Sequence, residues 1–353
     1  MLDSFRSSSK LVKTFNEHTD VVYNVDYSTF DDGQFICSGS RDKTVRVCNI
    51  KGNKQMQSFN GHSSSVNCVK FSQYHYYNNR QNVICSSSFD KTISFWDFKH
   101  NKQLQIFNGH TDGVCGIEFS SFNGGRYLCS GSWDNTIRLW DIETSKALHV
   151  FNRHKNWVWC IDISPLQSNK SNSNTINNIG VVGGNGYTIC SGSLDNTIRI
   201  WDIETIKQLN VFEGHKCEVN SVKYGSNELI NIILSGSGDK SVRLWDIRSG
   251  GQIQAFSGHE NGVLCAEYSP FVIKNSIGNS NVICSGSLDN TIRFWDIRSN
   301  KNELYVMKVD EGIYCFKFIE LKKKVNDNEQ ISNGDCCINL CYGSRNGLIR
   351  VYG

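Results

Sequence analysis

Histidine and aspartate recur together in this chain, and a pair of them can do general acid–base chemistry. The pairs are His18/Asp42, His62/Asp90, His110/Asp134, His154/Asp195, His215/Asp239 and His259/Asp289. Six equivalent acid–base sites in one chain are implausible, so the pair belongs to a repeated building unit rather than to a single catalytic centre. Outside the repeats there is no nucleophile motif, phosphate-binding loop or metal-ligand spacing, and the remaining histidines are His75, His100 and His149. The Cys336–Cys337 pair with Cys341 lacks the spacing of a zinc site. The expectation is a protein that is not an enzyme, with no cofactor and no metal.

What positions these residues is a repeating block. Residues 189–203 read ICSGSLDNTIRIWDI, residues 283–297 ICSGSLDNTIRFWDI and residues 128–142 LCSGSWDNTIRLWDI. Looser copies lie at 36–50, 84–98 and 233–247, and a worn copy, LCYGSRNGLIRVYG, ends at Gly353. Each unit carries a His, usually after Gly, then an alternating run such as VNCVKF at 66–71, then the SGS run and a TIRLW-type run; another run, such as QLQIF at 103–107, precedes each His. Short, β-branched, period-two runs are strands, which makes four per unit. Two prolines and thirty glycines suit many tight turns.

A net charge of +3 over 353 residues gives no electrostatic case for nucleic acid or an anionic membrane, and neither is expected as a partner. No apolar run reaches membrane-span length, and the opening MLDSFRSSSK has no signal-like apolar stretch. The fifteen cysteines fall mostly at two repeat positions, which lie too far apart in successive units to bridge. They read as buried free thiols in a reducing compartment. The location expected is cytoplasmic, with the nucleus as the alternative.

Four short strands, a Gly-His turn and a Trp-Asp dipeptide every 40-odd residues resemble the WD-repeat family, across about residues 10–353. The resemblance implies an all-β fold: a seven-bladed β-propeller of four-stranded antiparallel blades around a central channel. Its units fall at approximately 18–50, 62–98, 110–142, 154–203, 215–247, 259–297 and 309–353, after a short tail over 1–9. In that family the His bonds the Asp across two neighbouring turns, and a strand Ser and the Trp complete the network. Carried over here, together with Trp96, Trp140, Trp201, Trp245 and Trp295, the six pairs become structural staples. A buried carboxylate needs such partners, since even an ordinary unmet polar group costs on the order of 1–3 kcal/mol.

Two units depart from the pattern. The seventh puts Val309 at the His place, Asn346 at the Asp place and Tyr352 at the Trp place, and the first has Cys48-Asn49 for Trp-Asp. The seventh unit also ends at its third strand. Residues 8–18 match 100–110 in form, so residues 10–15 should complete the last blade and close the ring, removing exposed sheet edges.

The interval from the strand-one aromatic, or its equivalent, to the strand-two Cys, or its equivalent, varies from 10 (27 to 37) to 27 (163 to 190), so the insertions share one loop, and the longest, around 166–187, is Asn-, Ser- and Gly-rich and reads as mobile. The opposite face keeps its turns constant and is the better docking surface. Trp133, Trp157 and Trp159 stand outside the Trp-Asp dipeptides and, with Phe89, should form an aromatic sector there over blades two to four. The alternative is that they pack on one another as a lid over the channel. At the seam of units one and seven, Arg41 and Arg345 take the position before the Asp, with Tyr23 and Tyr314 beside them. Converging arginines would bind an acidic or phosphorylated residue; the alternative is solvated or locally paired arginine. The function expected is a non-catalytic protein–protein interaction scaffold that binds proteins or peptides as a monomeric propeller within complexes. The alternative is a recognition or structural subunit of a larger machine, such as a ubiquitin-ligase receptor or a G-protein β-like adaptor.

Overall fold

Alternating runs of Val, Ile and aromatic residues can bury one side of each strand only if the strands pair and stack. In the computed structural model they do so in seven four-stranded antiparallel sheets arranged as a ring. The structure describes residues 2–31, 33–164, 187–271, 281–299, 303–321 and 338–353. Blade three shows the plan: Val114–Phe119 lines the channel, followed outward by Tyr127–Ser132, Ile137–Asp141 and Lys146–Phe151. The last blade combines Ile313–Glu320, Ile338–Ser344 and Ile349–Tyr352 with the N-terminal strand Leu11–Phe15, whose Phe15 lies opposite Ile349. The two ends of the chain are also tied by reciprocal backbone bonds between Lys10 and Gly353.

The core is divided among the seams between blades. At the seam of blades one and two, Val45, Val47 and Phe59 meet Val66, Val69, Ile84 and Trp96, all buried. Each Trp packs on the Phe that ends the preceding blade, as Trp140 does on Phe107 with ring centres 5.4 Å apart. Close approach across a seam needs a glycine: a Cβ on Gly131 would lie 2.7 Å from Val158 Cγ1. Blade two has Ser87 there instead, and its hydroxyl donates to the Cys115 carbonyl of blade three at 3.0 Å.

The segment 1–9, expected as a tail, contains a helix, Leu2–Ser8. Leu2 and Phe5 are buried in the seam of blades six and seven, with Phe5 4.9 Å from Phe271 and 6.1 Å from Phe294. Their apolar side chains alternate with polar ones too briefly to mark a helix in the sequence. The loops between first and second strands hold the helix Gln73–Asn79 and two short 3-10 turns. Residues 165–186 of the longest such loop, and Cys336–Cys337, lie outside the described residues.

Candidate docking site at the channel mouth

Each repeated His lies in the turn that leads into the blade whose Ser, Asp and Trp it meets. In blade three, His110 Nε2 is 2.7 Å from Ser130 Oγ, His110 Nδ1 is 2.8 Å from Asp134 Oδ2, and Trp140 Nε1 donates to Ser130 Oγ at 2.8 Å. The other pairs repeat this: His18–Asp42, His62–Asp90, His154–Asp195 and His259–Asp289 at 2.8 Å, and His215–Asp239 at 2.9 Å. Trp96, Trp201, Trp245 and Trp295 bond the strand Ser as Trp140 does. One donor order satisfies every atom: indole N–H to Ser oxygen, Ser O–H to Nε2, and Nδ1–H to the carboxylate. That order requires a neutral imidazole. Burial favours the neutral form and pulls His18, His110, His154, His215 and His259 down, against the pull of their aspartates. Burial would raise Asp134, but the bonds from His110, Thr136 and the Thr111 amide hold it well below the usual carboxylate range. With both ring nitrogens engaged, these histidines have no free lone pair or proton to offer a substrate.

Blade seven fills the same space differently. Tyr342 stands where the other blades have the bonded Ser, fully buried, and its ring stacks on Tyr352 at 5.9 Å and 19°. The stacked pair replaces the Ser–Trp contact of the other blades. Asn346 is held by Ser344 at 2.7 Å and donates to Glu311 at 2.7 Å. In blade one, Cys48 is buried at the Trp place.

The mouth of the channel is built from a β-bulge that recurs in every first strand. Register shifts at Val22/Asn24, Val66/Cys68, Val114/Gly116, Val158/Cys160, Val219/Ser221, Val263/Cys265 and Ile313/Cys315 leave one extra residue each time. A bulge re-aims its side chain. Here the extra residues are Tyr23, Asn67, Cys115, Trp159, Asn220, Leu264 and Tyr314, and all line a cavity of about 430 Å³. Above them Trp133 and Trp157 stack at 3.8 Å and 7° between planes, Trp159 stands edge-on to Trp133 at 5.8 Å, and Phe89 is 4.4 Å from Trp133. The sector expected from the sequence is one continuous cluster. Its members pack on one another, as the lid alternative has it, and all remain half-buried rather than covered. Among the described residues the indole N–H of Trp159 meets no acceptor.

At the seam, Arg41 Nε is bound by Asp20 at 2.7 Å, so this arginine is locally paired. Arg345 is exposed. Tyr23 and Tyr314 meet edge to face at 5.7 Å, and burial raises Tyr23 against the opposing charge of Arg41.

The floor of the cavity was not read from the sequence. One position per first strand carries a charge: Asp26, Lys70, Glu118, Asp162, Lys223, Glu267 and Lys317, each paired in register with the second-strand Cys or Leu. Lys70 meets Glu118 at 2.7 Å, Lys223 reaches both Glu118 and Asp162 at 3.5 Å, and Lys317 meets Glu267 at 3.5 Å. Burial alone would raise Glu118, but Lys70 and Lys223 together pull it down to about 2. Asp162 moves the other way, raised by burial with Lys223 opposing and the Glu118 charge adding to the rise. The signal was present as a lone charge between apolar neighbours in each first strand, such as VKF, IEF and VKY. Among the described residues no group of His, Cys, Asp or Glu is placed to hold a metal ion.

A ring of four-stranded blades with these repeats defines a β-propeller of the WD type. The WD domain, G-beta repeat family matches residues 9–49, 53–97, 101–141, 145–202, 206–246 and 250–296, and the chain belongs to that family. It is also similar to the U3 small nucleolar RNA-associated protein 15 homolog of Gallus gallus, 33% identical over 66 residues, which are 19% of this chain and 12% of that protein. The chain thus spans only a small part of the relative it matches.

Proposed function

We propose that this chain is a non-catalytic interaction scaffold that docks segments of other proteins on its constant-turn face, around Phe89, Trp133, Trp157 and Trp159. The observation that carries the reading is the Trp133–Trp157 stack, held at 3.8 Å beside the mouth of a cavity. Half-exposed aromatic rings already fixed in position offer a large contact area at little further loss of freedom. The commitment of the six His–Asp pairs to internal bonds supports the absence of catalysis. Arg345, with Tyr23 and Tyr314, would add preference for an acidic or phosphorylated residue, and Arg41 would join it by releasing Asp20.

The test is affinity capture by wild type and by Trp133→Ala/Trp157→Ala/Trp159→Ala, with circular dichroism to establish the fold of each. The triple variant should lose the partners that wild type retains. A folded triple variant that keeps every partner would sink the reading. For the seam, a phosphorylated peptide should bind more weakly to Arg41→Ala/Arg345→Ala than to wild type, and its unphosphorylated form should not discriminate.

The second reading is a subunit of a larger assembly. It is favoured by the likeness to a protein named for association with a small nucleolar RNA. That likeness also favours the nucleus over the cytoplasm and leaves RNA-containing complexes within reach, although the docking face itself is proposed to bind protein. Co-purification at fixed stoichiometry would support the assembly reading, and a monomer with only transient partners would exclude it.

A further inference from the structure

The repeats supply their own control for a site on the outer rim. Each third strand carries, at the register place opposite the second-strand Ser or Tyr, one of Arg46, Ser94, Arg138, Arg199, Arg243, Arg293 and Arg350. In blades one, four and five, Nη1 of this arginine donates to a glutamine oxygen of the fourth strand: Gln55 at 2.7 Å, Gln208 at 2.6 Å and Gln252 at 2.7 Å. Nε donates to a hydroxyl, as Arg243 does to Ser241 at 3.1 Å. Blade six uses a carboxylate, Glu303, at 3.2 Å, and blade seven uses Asp310 at 2.8 Å.

Blade three breaks the series. Ala147 lies opposite Trp140 where Gln252 lies opposite Trp245. Arg138 Nη1 therefore lacks the fourth-strand acceptor its sisters have, and among the described residues its Nε, like that of Arg350, is buried without a partner. The guanidinium itself has not moved. A Cβ on Gly109 would meet Arg138 Nη1 at 3.1 Å, just as one on Gly214 would meet Arg243 Nη1 at 3.1 Å. Beside Gly214 the Gln252 oxygen follows at 3.6 Å; beside Gly109 the next atom belongs to Arg138. The guanidinium lies over the Trp140 ring, 5.9 Å from its centre.

We infer that the outer rim of blade three is a binding site for a carboxylate, supplied by a glutamate of a docked protein segment that fills the place left by Ala147. A full positive charge with a desolvated N–H favours a charged acceptor over a neutral amide, and a guanidinium is matched to a carboxylate fork. Blade six demonstrates the fit with Glu303. The site stands apart from the aromatic cluster and does not depend on it.

The test follows the Nε–H resonances of protein labelled with nitrogen-15 at arginine, with the Arg138 signal identified by its loss in Arg138→Lys. The probes are N-acetyl-Gly-Glu-Gly-amide, its Gln counterpart, sodium acetate and inorganic phosphate. Arg138 should shift saturably with the Glu peptide and several-fold more weakly with the Gln peptide and acetate, while Arg46, Arg199 and Arg243 stay still. Ala147→Gln, which supplies the acceptor from within, should abolish the shift and leave the circular dichroism unchanged. No response to the Glu peptide, or an undiminished response in Ala147→Gln, would overturn the site. Phosphate saturating at lower concentration than the Glu peptide would overturn the carboxylate assignment. Acetate binding as tightly as the peptide would overturn its source in a protein segment.

Discussion

His110 and Asp134 show why a residue pair suited to acid–base work is here a fastener. Each nitrogen of the ring already has a partner at 2.7–2.8 Å, and the carboxylate also accepts from Thr136 and from the Thr111 amide. Removing one member strands the others in a buried site. Asp134→Ala should therefore lower stability by about 2–4 kcal/mol, and the double variant with His110→Ala should lose clearly less than the sum. Denaturant unfolding of the four proteins checks this, and simple additivity would refute the coupling. The pH dependence follows from the same network. The five lowered histidines resist protonation in the folded state, while in the unfolded chain they take protons near 6.5. The unfolded state then binds more protons, so stability falls as pH drops below 6.5. The depressed aspartates add a second loss as pH falls below their unfolded value of 3.8. Melting temperature should be flat between about pH 7 and 8 and should decline in these two steps as pH falls; a maximum near pH 5 would contradict the assignment of neutral imidazoles.

Strands were legible because each repeat restates the same alternation, and six restatements outweigh the ambiguity of any one short run. The helix Leu2–Ser8 was not legible, because fewer than two turns with two apolar residues, Leu2 and Phe5, have no period to detect. Its reason for existing is tertiary. Blade six ends in a short fourth strand, Tyr305–Lys308, and the buried Phe5 covers Phe294 and Phe271 beside it. Tyr342 was missed for a related reason: its position is occupied by Ser in the other blades, and only packing reveals that it is fully buried and stacked on Tyr352. Two predictions belong to this scale. Phe5→Ala should lower stability by about 3–5 kcal/mol, since a buried phenyl ring leaves a cavity on truncation; thermal unfolding would show it, and an unchanged melting temperature would mean the helix is only resting on the surface. Deleting residues 1–17 removes both this helix and the strand Leu11–Phe15, so the product should be insoluble or melt far lower. A soluble deletion product with the wild-type melting temperature would refute closure by the N-terminal strand.

The closed ring makes contacts that no single blade could hold. Glu118 on blade three is 3.5 Å from Lys223 on blade five, 105 residues away, and 2.7 Å from Lys70 on blade two. The staples were readable from the sequence because each pair sits inside one repeat. The charged floor was hidden because its meaning arises only when seven first strands face a common axis. Carboxylates at the same ring accept backbone amides of the next blade as well, Asp26 from Phe71 at 3.0 Å and Asp162 from Tyr224 at 2.8 Å. The ring is therefore a clamp acting across several seams at once. Replacing one member should be felt beyond its own blade. Glu118→Gln leaves the half-buried Lys70 and Lys223 without their shared acid, and losing hydrogen bonds to a charged group costs about 1.5–3 kcal/mol. Hydrogen exchange gives the decisive readout. First-strand amides of blades two, four and five should lose protection together with those of blade three, because all four surround the lost charge. Protection lost in blade three alone would mean that the charges act pairwise within neighbouring strands and that the closed ring adds nothing to their strength.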